Sequence, residues 1–176
     1  MSKSVKHLAI IGENDEYGTP SFLFLEACKK YNCNPVVDYF ASKTNHVCDK
    51  YYTKNDLVFE MEWFENGFIN PPYSRKLMPK VMEKAYNEHL KHNIELIILT
   101  YAKTDTHWWH NFVENKAEVH FHNVRISFND ANGNPTKNKA PYPSAWIIYR
   151  PKEEITVRVQ SMFPNRQKYG RYSNER

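Results

Sequence analysis

Gly67-Phe68-Ile69-Asn70-Pro71-Pro72-Tyr73 is the stretch on which the reading of this chain turns. Gly67 to Asn70 reads as a short strand, and the two prolines stop it, because each fixes φ and removes a backbone donor. Beyond the stop, Leu77, Met78, Val81, Met82, Ala85, Tyr86, His89 and Leu90 fall on one helical stripe. Pro79 fits a helix only in its first turn, so the spacing predicts a helix beginning near Lys76. Ile94 to Thr100 follows as an almost unbroken apolar run, the pattern of a strand buried on both faces.

Upstream, Thr19-Pro20 predicts a helix start, with Thr19 as the cap and Pro20 in the first helical position. Phe24, Ala27, Cys28 and Tyr31 then recur at helical spacing. Asn32 to Pro35 breaks that helix, and Val36 to Phe40 reads as a strand. Downstream, Thr106 to Glu114 predicts a short helix, and Val119 to Phe128 and Ser144 to Tyr149 predict strands. The polar stretch between those two strands, with Gly133, Pro135, Pro141 and Pro143, reads as a loop. Ile155 to Val159 suggests an edge strand. Residues 1–163 are expected to form one domain and 164–176 a basic, flexible tail. The alternation predicts an α/β fold, a compact single sheet with helices on both faces. Ligands in such sheets bind outside the carboxyl ends of the strands. Asp38-Tyr39-Phe40-Ala41-Ser42 and Asn70-Pro71-Pro72-Tyr73 occupy that place.

A chain of 176 residues is long enough for one sizeable core. Aromatics at 15% supply stacking surfaces as well as core, and a net charge of +4 suits a polyanionic partner. No stretch is apolar for long enough to span a bilayer. Leu8 to Ile11, behind Lys3 and Lys6, is too short for a signal peptide. Cys28, Cys33 and Cys48 leave an odd thiol, which fits free thiols in a reducing cytoplasm. His107 with His110, His120 with His122, and His46 with Cys48 complete no zinc set, so no metal is expected. Trp108 and Trp109 could stack on a base, but such a pair is more often half core and half surface. Asp105 is expected to cap a helix or meet a ligand. Arg125, and the later Arg166, Lys168, Arg171 and Arg176 interleaved with Tyr169 and Tyr172, suit phosphate contacts or a solvated surface.

Asn70 to Tyr73 carries a specific chemistry. An amine conjugated to a base or amide is a poor nucleophile, because its lone pair is delocalised. To attack a methyl sulfonium it must move toward tetrahedral geometry, and acceptors on both amine hydrogens favour that change. The Asn70 side-chain oxygen can supply one acceptor and a backbone carbonyl, that of Pro71, the other. Pro71 and Pro72 hold this carbonyl in place. Tyr73 offers a flat face for the substrate ring. The competing reading is a proline-stiffened turn, against which stand the strand before the motif and the helix after it.

From Tyr17 to Tyr149 the ordered segments resemble the phage-type DNA N6-adenine methyltransferase (Dam) family. The elements are Tyr17-Gly18-Thr19-Pro20, Asp38 to Ser42, Asn45, Tyr51-Tyr52-Thr53 with Asp56, Trp63, and Gly67 to Ser74. Thr104-Asp105-Thr106 with Trp108-Trp109-His110, Val124 to Phe128, and Ala140-Pro141-Tyr142-Pro143-Ser144 complete them. The resemblance implies a Rossmann-like S-adenosylmethionine-dependent methyltransferase fold, DNA as partner, and methylation of adenine N6. On this resemblance Asn70, Pro71, Pro72 and Tyr73 are catalytic, and Thr19, Pro20, Asp38, Ala41 and Ser42 meet the cofactor. Asp38 faces its methionine part and Asp56 its adenine ring. Ser74, Arg75 and Arg125 are expected to touch DNA. Phe40-Ala41-Ser42 stands where the superfamily's glycine-rich turn is usual, and no acid for the cofactor ribose is evident beyond Asp49. The same motif also serves methylation of RNA bases or protein glutamine, and a relative that binds cofactor without turnover is a further alternative.

Overall fold

The computed structural model describes residues 18–130 and 133–152. The elements run α1 (Ser21–Tyr31), β1 (Val37–Ala41), β2 (Lys50–Thr53), β3 (Gly67–Ile69) and α2 (Met78–His92). They continue with β4 (Leu96–Tyr101), α3 (His107–Phe112), β5 (Glu118–Phe121) and β6 (Ser144–Tyr149). The strands form one sheet in the order β2-β1-β3-β4-β6-β5. The first four in that order are parallel, whereas β6 runs antiparallel to both β4 and β5. From β1 the chain passes to β2 on one side, and from β3 it passes to β4 on the other. The carboxyl ends of β1 and β3 therefore flank a topological switch point, the place where such sheets bind ligands.

Alternation along the strands builds two cores. Leu96 and Ile98 of β4, with Val37, Tyr39, Ile69, Ile147 and Tyr149, pack against Val81, Met82 and Ala85 of α2 and Trp108 and Trp109 of α3. Ile97, Leu99 and Tyr101, with Phe68, Trp146 and Ile148, pack against Leu23, Phe24 and Ala27 of α1. Helices thus cover both faces, as the alternation predicts. All six residues of β4 are buried, so truncating one of its isoleucines to alanine should cost about 2–5 kcal/mol.

Several expectations need correction. Thr19 does not cap α1; Pro20 holds the N-cap position and no side chain caps the helix. α2 begins at Met78, with Pro79 in its first turn where no donor is missed. Leu90 lies outside the apolar face, 46% exposed, and Glu88 is buried on α2 instead. The reason is a polar anchor: Glu88 accepts from the Trp63 amide at 2.9 Å and from Lys84, which also donates to the Met61 carbonyl, each at 2.6 Å. This ties the long segment before β3 to α2. Val36 lies outside β1 and is exposed. The strand expected from Val119 to Phe128 ends at Phe121; Ile126 and Phe128 enter the α1-side core without a ladder of their own. Asp105 does not cap α3. Thr106 holds that position, and its hydroxyl donates to the Lys103 carbonyl at 2.7 Å. Trp108 and Trp109 are both core. Ile155 to Val159 and the basic tail lie outside the described residues.

Candidate active site

Asn70 follows β3 directly and is buried. The Tyr73 hydroxyl donates to its Oδ1 at 2.6 Å and approaches the Leu99 carbonyl at 3.4 Å. The two prolines fold the chain back so that Tyr73 returns to the residue three before it. Its ring lies 4.0 Å from that of Tyr101 and 5.8 Å from that of Phe128. Burial pushes the Tyr73 hydroxyl well above its ordinary pKa, with the neighbouring Tyr101 adding to the effect. The hydroxyl is therefore a neutral donor at every working pH. Asn70 Oδ1 carries two lone pairs, so it can accept from a second donor, or from an amine that displaces Tyr73.

The loop after β1 comes next. Ser42 and Asn45 exchange backbone hydrogen bonds at 3.0 and 3.2 Å, closing a tight turn past Ala41. Gly18 presses on this turn: a Cβ at Gly18 would lie 1.1 Å from the Asn45 side chain. Gly18 also exchanges backbone bonds with Asn129 at 2.8 and 2.9 Å, and Asn129 follows Phe128, which touches Tyr73. Segments distant in sequence, Gly18-Thr19, Ala41 to Asn45, Phe128-Asn129 and Asn70 to Tyr73, are thereby joined into one surround. Thr19 is buried in it, and its hydroxyl has no hydrogen-bond partner among the described residues. Ser144, paired with Tyr101 at the carboxyl end of β4, is a second buried hydroxyl without one. Orphaned hydroxyls of this kind are costly unless a water or a ligand completes them.

Asp38 is the second residue of β1 and is buried. One carboxylate oxygen accepts from the Phe40 amide at 3.3 Å and the other from the Val47 amide at 3.2 Å. Burial pushes its pKa up to about 6, with the Val47 and Phe40 amides and His46 opposing the shift. A buried acid held there gains a full charge when a ligand cation arrives. The donor set fits an amino-acid-bearing nucleoside such as S-adenosylmethionine: an acid for the amino group, hydroxyls that lack partners among the described residues, and a short loop at the switch point.

The other expected residues are more dispersed. Asp56 lies past the carboxyl end of β2, where one carboxylate oxygen accepts from the Thr53 amide at 2.7 Å and its hydroxyl at 2.9 Å. Asp49 precedes Lys50 and so lies at the amino end of β2, away from the switch point. Ser74 uses its hydroxyl to accept from the Leu77 amide at 3.1 Å, which starts α2. Arg75 and Arg125 are exposed, and Arg125 donates to the Ala140 carbonyl at 3.4 Å. Burial pushes the Cys28 thiol up to about 11 and those of Cys33 and Cys48 to about 12, so these thiols are not nucleophiles. Among the described residues no group of three or more His, Cys, Asp or Glu gathers to hold a metal, and no helix is long and apolar enough to cross a membrane.

Sequence reasoning missed Tyr101, Phe128 and Asn129 as parts of the site. Tyr101 falls just past the apolar run Ile94 to Thr100 and ends β4, and Phe128 falls at the end of the strand predicted from Val119. For Tyr101 the available signal is its position beside a loop at the carboxyl end of the buried strand β4; Phe128 carries no local signal.

A DNA N-6-adenine-methyltransferase of Escherichia phage T1 is 33% identical over 85 residues, which cover 47% of this chain and 34% of that protein. The chain thus spans about a third of the length of the curated relative it matches. The match to the family described as DNA N-6-adenine-methyltransferase (Dam) runs over residues 9–171, nearly the whole sequence. With the Asn-Pro-Pro-Tyr loop at the switch point, this chain belongs to the DNA N-6-adenine-methyltransferase (Dam) family.

Proposed function

We propose that this chain methylates N6 of adenine in DNA on a Rossmann-like sheet, with S-adenosylmethionine as donor. The observation that carries the reading is Asn70, buried at the end of β3 beside the switch point, with Tyr73 folded back onto its carboxamide oxygen. When bound, S-adenosylmethionine supplies an electrophilic methyl on its sulfonium. The chain's own residues do the rest. Asp38 holds the amino group of the cofactor's methionine part, and the Thr19 hydroxyl takes a polar group beside it. Pro20, Ala41 and Ser42 line the turn against which the cofactor lies. Asp56, past the end of β2, meets the nucleoside half. An extruded adenine displaces Tyr73 from Asn70 and stacks on its ring. Asn70 Oδ1 and the Pro71 carbonyl then accept the two amine hydrogens and turn the lone pair toward the methyl. Ser74, Arg75 and Arg125 contact the DNA backbone. The phage relative supports action on DNA inside a bacterial cell, in the cytoplasm.

Labelled cofactor with DNA, RNA and protein pools tests the substrate class. Label should enter DNA and be recovered as N6-methyladenine. Asn70→Ala should cut turnover on the order of 100-fold, by analogy with removing one positioned hydrogen-bonding group, and leave cofactor affinity unchanged. Label in RNA or protein alone would replace the DNA reading. Near-normal turnover by Asn70→Ala would reduce the motif to a rigid turn.

A further inference from the structure

The aromatic packing around Tyr73 continues outward at the carboxyl end of β4. Tyr101 lies between Tyr73 and Tyr142, with its ring 4.0 Å from the first and 5.4 Å from the second. Tyr142 is the outermost ring and remains 46% exposed. Lys103 sets its ammonium over that ring, 3.0 Å from the centroid. The platform is held by backbone on both sides. Ala102 donates to the Pro143 carbonyl at 2.8 Å, and Ala140 to the Ile126 carbonyl at 2.7 Å. Pro141 and Pro143 flank the ring and restrict its backbone. Tyr142 is thus a presented aromatic on a stiffened loop, beside the residues that surround Asn70.

We propose that Tyr142 and Lys103 form a nucleotide-binding shelf at the mouth of the site. The Tyr142 ring stacks on the base adjoining the target, and the Lys103 ammonium leaves the ring to neutralise that nucleotide's phosphate. A flat π-face with a cation next to it suits an unstacked nucleotide in both its parts. Tyr142 reaches Tyr73 only through Tyr101, so it serves a neighbouring base and not the one at Asn70. A purely structural role would bury the ring and needs no lysine on it. The inference rests on the proposed methylation of a DNA base at Asn70.

The test is binding of a fluorescent adenine-containing duplex in saturating S-adenosylhomocysteine, followed by anisotropy over a range of salt. Tyr142→Ala should weaken binding about tenfold or more, and Tyr142→Phe should restore it. Lys103→Gln should lower the slope of log affinity against log salt by about 0.9, the loss of one phosphate contact. Both variants should keep the wild-type thermal shift with S-adenosylhomocysteine, which certifies the fold. Wild-type affinity in Tyr142→Ala, or an unchanged slope in Lys103→Gln, overturns the shelf while wild-type methylation stands. A wild-type protein that binds cofactor but neither binds nor methylates DNA overturns the underlying reading and the shelf with it.

Discussion

Asp38 links the proposed cofactor site to pH in a way that can be measured. Its carboxyl is held at about 6 against an ordinary value of 3.8, chiefly by burial. For an acid raised in the folded state, the cost of the charge is absent below the unfolded pKa and complete above the folded one. The protein without cofactor should therefore lose about 3 kcal/mol of stability between pH 4 and 6 from this group. A ligand ammonium at Asp38 binds the ionised form and offsets that cost. Between pH 7 and pH 5 the ionised fraction of such a group falls about tenfold, so affinity should fall about tenfold, or about 1.4 kcal/mol. Calorimetry with S-adenosylhomocysteine in buffers of different ionisation enthalpy reads this directly. About one proton should be released per ligand at pH 5 and almost none at pH 7.5. Asp38→Asn should bind more weakly and release none. His46→Gln, which removes the nearby imidazole, should leave the release in place. Flat affinity with no proton release across this range in the wild type would refute the ammonium contact. It would make Asp38 a structural acceptor for the Phe40 and Val47 amides.

Two further outcomes follow from the geometry. Tyr73→Phe removes the hydroxyl that occupies Asn70 Oδ1 but keeps the ring, so turnover should stay within a few-fold and KM for DNA should not rise. Tyr73→Ala should weaken DNA substrate binding by about 1–3 kcal/mol; a collapse of turnover in Tyr73→Phe, seen in steady-state kinetics, would mean that the hydroxyl itself is required. Arg150 donates to Glu95 at 2.7 Å, to Glu118 at 2.9 Å and to the carbonyls of Tyr31 and Asn32, at the sheet end opposite the site. Arg150→Ala leaves the almost fully buried Glu95 without its ion-pair partner, holding only the Asn34 amide, so urea denaturation should show a loss of about 3 kcal/mol with cofactor affinity unchanged. A loss under about 0.5 kcal/mol would mean that solvent replaces the network.

The sequence exposes the parts of this fold that rest on periodicity. β4 is legible because both of its faces are buried, and α2 because its apolar stripe is long. β2 is not legible: its four residues, Lys50 to Thr53, are exposed or partly exposed at the sheet edge, so no alternation marks them. Glu88 on the buried side of α2 is equally hidden, because the returning Trp63 amide, which joins Lys84 in satisfying the carboxylate, comes from a distant segment. In the site, Asn70 to Tyr73 stands out because two prolines after a strand are rare and chemically specific. What the sequence hides is the company they keep. The contact of Tyr73 with Phe128, and the bonds of Gly18 to Asn129, join residues 55 or more positions apart. Such pairings are decided by tertiary packing and leave no local pattern.

The two ends of the sheet divide stability from chemistry. At the amino end of β4, Glu95 accepts from the Asn34 amide and from Arg150, and Arg150 reaches back to the end of α1. These polar groups are paired with one another, which is what a buried network needs to be stable. At the carboxyl ends, the Thr19 and Ser144 hydroxyls have no hydrogen-bond partner among the described residues, and Asn70 is held by a tyrosine that a substrate can replace; Asp38, lower down on β1, carries a raised pKa. The two hydroxyls and the Asp38 charge each cost the folded state energy that a bound cofactor would recover. A site that spends stability in this way depends on the opposite end of the sheet to stay folded. Filling it, for example by Thr19→Val, should therefore stabilise the protein while weakening its hold on the cofactor.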